Sequence, residues 1–257
     1  MSGGAGHRHL LFVHGESRVH HLRPQCKVLA AVLFVLAVVA TPREAVVAYA
    51  SYAAVLGLVA RHAGLPLGFV ARRLTIELPF VAFALFLPLL GGGDRVDVLG
   101  VALSVDGLWA AWNILVKGTL GVATSVILVA TTPVPDILLG LDRLRVPRVL
   151  TAVAGFMVRY AEVISEEARR MRIARESRGY DPRWLWQARA LAASAGTLFL
   201  RSYERGERVY LAMVSRGYAG AMPALEGQAA TRTEWITALA LPVAGAAIAS
   251  TAWLLRT

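Results

Sequence analysis

The sequence predicts an all-α, polytopic membrane protein with about five transmembrane helices and, outside the membrane, several amphipathic helices. Three observations carry that prediction. Of the 257 residues, 56% are hydrophobic and 17% charged, whereas a soluble domain carries about 25% charged residues. The apolar excess is gathered into long uncharged runs, as in membrane spans. The basic residues are unevenly placed: of 27 Lys and Arg in the chain, 16 are arginines between Thr132 and Glu234.

Taken in order, residues 1–131 hold a polar leader and four spans. The leader contains five of the six histidines, His7, His9, His14, His20 and His21. Such a cluster binds transition metals in some proteins, but no carboxylate or cysteine pattern accompanies it here, and the better reading is a polar leader with no metal site. The first apolar run, at about 28–40, reaches Thr41-Pro42-Arg43 with no small-residue cleavage site, so it reads as a retained span rather than a signal peptide. The next spans fall at about 45–60, 74–90 and 108–130, and a fifth at about 235–255. A bilayer core asks for roughly 20 helical residues and at least about 17, so the first two are short. Pro79 and Pro88 kink the third, which neighbouring helices can accommodate.

Lysines and arginines in the connections set the orientation. Arg8, Arg18, Arg23 and Lys27 precede the first span, and Arg61, Arg72 and Arg73 separate the second from the third. The loop Gly91-Gly92-Gly93-Asp94-Arg95-Val96-Asp97 is slightly acidic. The N-terminus and residues 132–234 are therefore placed in the cytoplasm, and the glycine loop outside. One cysteine, Cys26, rules out an internal disulfide.

The domain organisation follows: 1–131, then a cytoplasmic region at 132–234, then a C-terminal span at 235–257. Within 132–234, Pro133, Pro135 and Asp136 mark a helix start running to about Arg145. A long helix follows from Arg148 to about Ser177. Its first half, with Leu150, Val153, Phe156, Met157 and Tyr160, is apolar enough to lie against a membrane domain; its second half is charged. Asp181-Pro182 opens another helix that runs to about Val214.

Two of these helices end in the same words. Ser177-Arg178-Gly179-Tyr180 recurs as Ser215-Arg216-Gly217-Tyr218, 38 residues later, and at that offset Glu166 matches Glu204, Arg170 matches Arg208 and Ala174 matches Ala212. The three matches are four residues apart and so share a helix face. Glycine just past a helix end supplies the left-handed conformation found there. Each arginine then sits at a helix tip, where it complements the negative helix end and where a guanidinium can clasp a carboxylate with two parallel bonds. The plain reading is a pair of helix caps; two copies, each closed by tyrosine, point to a shared docking role.

These residues resemble the transmembrane T component of energy-coupling factor transporters, most closely the cobalt-type branch, CbiQ. His21-Leu22-Arg23-Pro24-Gln25-Cys26-Lys27-Val28-Leu29 resembles the family's lead into the first span, and Thr131 to Ile137 with Leu141 to Pro147 its first coupling segment. Ser177-Arg178-Gly179 and Ser215-Arg216-Gly217 stand where the family carries two Ala-Arg-Gly-like signatures, with serine in place of alanine. The resemblance implies a non-catalytic scaffold that binds no cofactor of its own. Its two arginine tips would insert into two ATP-binding cassette subunits, which carry the ATP and Mg. Its spans would hold a substrate-binding membrane subunit of the CbiM type. Cobalt is the implied cargo, then nickel, with a vitamin or other micronutrient as the alternative, and the location a bacterial or archaeal inner membrane.

Other classes are less well served. No Gly-x-x-x-x-Gly-Lys-Ser/Thr stretch is present for binding ATP phosphates. The motifs Asp-Asp-x-x-Asp, His-Glu-x-x-His and Gly-x-Ser-x-Gly of membrane or hydrolytic enzymes are also absent, which leaves only a membrane enzyme without a recognised motif. An ordinary permease would have a single coupling helix. Arg169, Arg170, Arg172 and Arg175 alternate with Glu162, Glu166, Glu167 and Glu176, a pattern for a solvated or docking helix, so membrane lipid is the better partner and nucleic acid is not expected. Inside the spans, Glu77 and Lys117 form a candidate pair; structural pairing or snorkelling is preferred to a transport role.

Overall fold

The structure, a computed structural model, describes residues 15, 17–92, 94–98, 101–180, 188–220 and 230–255. In chain order its helices are α1 (Arg18–His21), α2 (Pro24–Ala40), α3 (Val46–His62), α4 (Leu67–Arg73), α5 (Leu78–Leu90), α6 (Val105–Thr131), α7 (Val134–Arg143), α8 (Arg148–Glu176), α9 (Ala188–Val214) and α10 (Arg232–Leu254). A 3-10 turn, Leu74–Glu77, joins α4 to α5, and a hairpin of β1 (Arg95–Val98) and β2 (Val101–Ser104) joins α5 to α6. The chain forms two compact units, Met1–Leu144 with Gln228–Thr257, and Arg145–Gly227. The helix α7, grouped with 132–234 on sequence, belongs to the first.

In the first unit, Gly68–Leu90, Val105–Thr131 and Arg232–Leu254 are long and apolar enough to cross a membrane, and Pro24–Ala40 and Val46–His62 are shorter apolar helices. This is an all-α polytopic membrane protein. The third span starts earlier than hydropathy alone indicates. Arg72 and Arg73 interrupt the apolar run, yet the chain stays helical through them and tightens into the 3-10 turn before Pro79. The glycine loop is partly strand: Val96 pairs with Leu103 and Val98 with Val101.

The core lies among α2, α3, α6 and α10, around Phe34, Val38, Tyr52, Leu56, Leu120 and Ile127. Phe34 and Tyr52 meet edge to face at 5.5 Å, a favoured aromatic geometry. With no water in a bilayer core, polar groups there must be satisfied internally. Tyr52 does so by donating to Gly245 O at 3.0 Å, with Thr41 Oγ1 2.9 Å away, while Tyr49 donates to Thr41 O at 3.1 Å.

Small residues set the helix spacings, as is common where membrane helices touch. A Cβ on Gly107 of α6 would fall 2.4 Å from Leu87 O of α5, and one on Gly140 of α7 would fall 2.9 Å from Gln25 N of α2. Arg143 also donates to Gln25 Oε1 at 3.1 Å, so α7 is fastened to the start of α2. Lys27 Nζ donates to Thr131 O at 2.9 Å and to His20 O at 3.3 Å, placing an ammonium at the negative end of α6. Arg23 pairs with Glu234 at 3.4 Å in the first turn of α10. The outward side of α5 is apolar: Phe80, Phe83, Leu85 and Phe86 are exposed, and Ala84 and Pro88 are its buried residues.

The second unit is built differently. Helices α8 and α9 run for 29 and 27 residues and bury no residue of their own. They meet through an ion pair between Arg201 and Glu167. A cleft of about 410 Å³ lies between them, lined by Phe156, Tyr160, Arg205, Gly206, Tyr210 and Tyr218, among others. The helix start predicted at Asp181-Pro182 lies outside the described residues.

Candidate functional site

The two repeated sequences form two helix ends of the same design. After α8, Gly179 has φ 78°, and after α9, Gly217 has φ 86°, the left-handed conformation that glycine adopts at least cost. At the first end, Gly179 N donates to Glu176 O at 3.0 Å and Tyr180 N to Arg175 O at 3.1 Å. At the second, Gly217 N donates to Val214 O at 3.0 Å and Tyr218 N to Met213 O at 3.0 Å. This is the Schellman pattern, which satisfies carbonyls a helix end otherwise leaves open. The serines repeat as well: Ser177 Oγ donates to Ala174 O at 3.1 Å and Ser215 Oγ to Ala212 O at 3.0 Å. A Cβ added to either glycine would meet nothing within 4 Å, so the glycines answer to the backbone and not to crowding.

The same geometry places Arg178 and Arg216 on exposed tips. A guanidinium held there, at the negative end of a long helix, is positioned to bind a carboxylate with two parallel bonds. Ser177, Arg178, Gly179, Ser215, Arg216 and Gly217 are thus brought into two like tips within one unit.

The surroundings of the tips differ. Along α8, Glu166 accepts from Arg169 at 2.7 Å and from Arg170 at 3.1 Å, and Arg172 bonds Glu176 at 2.7 Å. The bonds from Arg169 and Arg170 pull the Glu166 carboxyl down to about 2. At the first tip the Arg175 guanidinium lies 5.8 Å from the centre of the Tyr180 ring, a cation–π distance. The equivalent pair at the second tip, Met213 and Tyr218, lines the cleft instead. The repeat marks both tyrosines; their unlike contacts follow from what stands five residues before each, arginine or methionine.

The other singled-out residues resolve as structural contacts. Glu77 and Lys117 do not pair. Glu77 accepts from Thr119 Oγ1 at 2.8 Å, and Lys117 donates to Val39 O at 2.8 Å. Lys117 lies two residues from Thr119, so its side chain leaves α6 on another face. His20 bonds Ser17 at 2.7 Å. His7, His9 and His14 lie outside the described residues, among which no group of three or more metal-capable side chains occurs.

The fold defines an all-α polytopic membrane protein with a second unit of two long helices that end alike. The sequence profile of the cobalt transport protein family, CbiQ, matches residues 15–225, and the chain belongs to that family. It is 29% identical over 221 residues to the energy-coupling factor transporter transmembrane protein EcfT of Bacillus selenitireducens, covering 81% of this chain and 82% of that one. It is 30% identical over 127 residues to the cobalt transport protein CbiQ of Rhodobacter capsulatus, covering 49% and 52%. A fused cobalt transport protein, CbiMQ, of Methanocorpusculum labreanum is 29% identical over 152 residues, covering 56% of this chain and 25% of the fusion.

Proposed function

We propose that this chain is the transmembrane coupling subunit of an energy-coupling factor importer for cobalt, or failing that nickel. It carries ATP-driven movement from two cytoplasmic ATP-binding subunits to a substrate-binding membrane subunit. The observation that carries the reading is the pair of like tips, each closing a helix of more than 25 residues and each presenting an arginine. A long helix is a stiff lever, so force received at Arg178 or Arg216 is transmitted along it rather than lost in a loop. The basic composition of 132–234 supports a cytoplasmic location for both tips. The chain hydrolyses no ATP itself; ATP and Mg belong to the partners.

The names of the relatives support the cargo. The family is that of cobalt transport proteins, and the fusion joins a CbiQ-like part to CbiM, which supports a CbiM-like partner here. The test is uptake of labelled cobalt, nickel and vitamins by cells making this chain with its ATP-binding and membrane partners. Uptake of cobalt that depends on all the subunits is expected. Uptake of a vitamin alone would overturn the cargo, and ATP hydrolysis by the purified chain alone would overturn the role.

A further inference from the structure

The two tips share one backbone geometry but carry opposite shoulders. The last six residues of α8, Met171–Glu176 by number 171–176, include Arg172, Arg175 and Glu176, whereas 209–214, ending α9, are Val-Tyr-Leu-Ala-Met-Val with no charge. The apolar shoulder is open: Tyr210 is 56% exposed, Leu211 65% and Val214 46%. The polar shoulder is open too: the Arg172 side chain, bonded to Glu176 at 2.7 Å, is 73% exposed, and Arg175 lies over the Tyr180 ring. A helix turn rises about 5.4 Å, so a groove that receives the tip arginine also receives the turn behind it.

We propose that the two tips grip their ATP-binding subunits by different physics. The α8 tip binds through charge, with Arg172 and Arg175 adding to Arg178 against an acidic rim. The α9 tip binds through apolar contact, with Leu211 and Val214 on an apolar floor and Arg216 as its one ionic anchor. The inference rests on the reading that the tips dock ATP-binding subunits, and it adds what each tip asks of its groove. Charge contacts weaken with salt, since the screening length falls from about 10 Å at 0.1 M to about 3 Å at 1 M. Apolar contact does not weaken in this way.

The test uses the full complex in detergent and measures the rate at which ATP-binding subunits leave it at low and high salt. Both tip arginines are kept in each variant. One variant is Arg172→Gln with Arg175→Gln, the other Leu211→Ser with Val214→Ser; all four positions lie on the extramembrane helices. The wild-type complex should release its ATP-binding subunits faster at high salt. The α8 variant should release them faster at low salt and lose most of that salt dependence. The α9 variant should release them on the order of a hundredfold faster at both salts, the effect of removing two apolar side chains from a contact, with the wild-type salt dependence retained. An unchanged salt dependence in the α8 variant, or an unchanged rate in the α9 variant, overturns the inference. A wild-type chain that never captures ATP-binding subunits would instead overturn the proposed function beneath it.

Discussion

The two units solve the problem of folding in opposite ways. The first closes on itself: Phe34, Val38 and Tyr52 are at most 1% exposed, and Gly107 and Gly140 bring backbones together. The second has two helices of 29 and 27 residues with no buried residue in either. Helices in water gain most of their stability from packing an apolar face, and these leave Val149, Leu150, Met157, Phe199, Leu200 and Leu211 exposed. The first unit thus holds a core of its own, while the second leaves long stretches of both helices open. Substitutions in the first should cost stability, and substitutions at the tips of the second should cost assembly.

The sharpest test of that contrast is Arg178→Ala combined with Arg216→Ala. Removing one partner of a buried charge pair costs about 2–5 kcal/mol, and two docked subunits make the attachment bivalent. The double variant should lose co-purification of ATP-binding subunits and all uptake, with the amount of chain in the membrane unchanged; either single variant should keep partial assembly. Lysine at either position keeps the charge but not the fork, and should fall between wild type and alanine.

Next in size is a pair of glycine substitutions. Gly107→Ala places a methyl 2.4 Å from a backbone oxygen, and overpacking of this kind costs about 1–3 kcal/mol. Gly196→Ala in α9 meets nothing within 4 Å and should add about 1 kcal/mol of helix stability. Thermal unfolding in detergent should therefore move down for the first and hold or rise for the second. If both fell equally, the two units would not differ as described.

A smaller change tests the polar ties of the first unit. Tyr52→Phe keeps the ring but leaves Gly245 O without its side-chain donor and Thr41 Oγ1 without its neighbour. A cost of about 1–3 kcal/mol is expected, read as a lower unfolding midpoint with ATP-binding subunits still attached. The exposed pairs of α8 should matter least: Glu166→Ala should leave the midpoint unmoved, because surface ion pairs contribute little.

How much of this was legible in the sequence depended on the range of the interactions. The tips were legible because the signal is local: only glycine takes the left-handed position cheaply, and the 38-residue offset repeated the signal. The spans were legible from hydropathy, except where Arg72 and Arg73 hid the first turns of the third. The hairpin had a period-two signal in Val96, Val98, Val101 and Leu103 that the neighbouring glycines obscured. What could not be read was contact between distant segments. Nothing near Gly140 says that it lies on Gln25, and nothing near Glu77 says that its partner is Thr119 rather than Lys117. The contrast between a charged and an apolar shoulder was present in the letters, but it acquired meaning only when the two tips proved to be alike in geometry.

The bond from Lys27 to Thr131 has a consequence for how the chain is made. The two residues are 104 positions apart, and synthesis at about 5–20 residues per second separates their appearance by about 5–20 s. For that interval Lys27 has His20 O within reach but not Thr131 O, the acceptor of its shorter bond, which has not been translated. Lys27 stands in the first turn of α2, where a long cationic side chain can reach water or lipid phosphate while it waits. The bond to Thr131 forms only when α6 emerges and offers its terminal carbonyl. The tie between α2 and α6 therefore waits for Thr131, and the tie from Arg23 to Glu234 of α10 waits longer still.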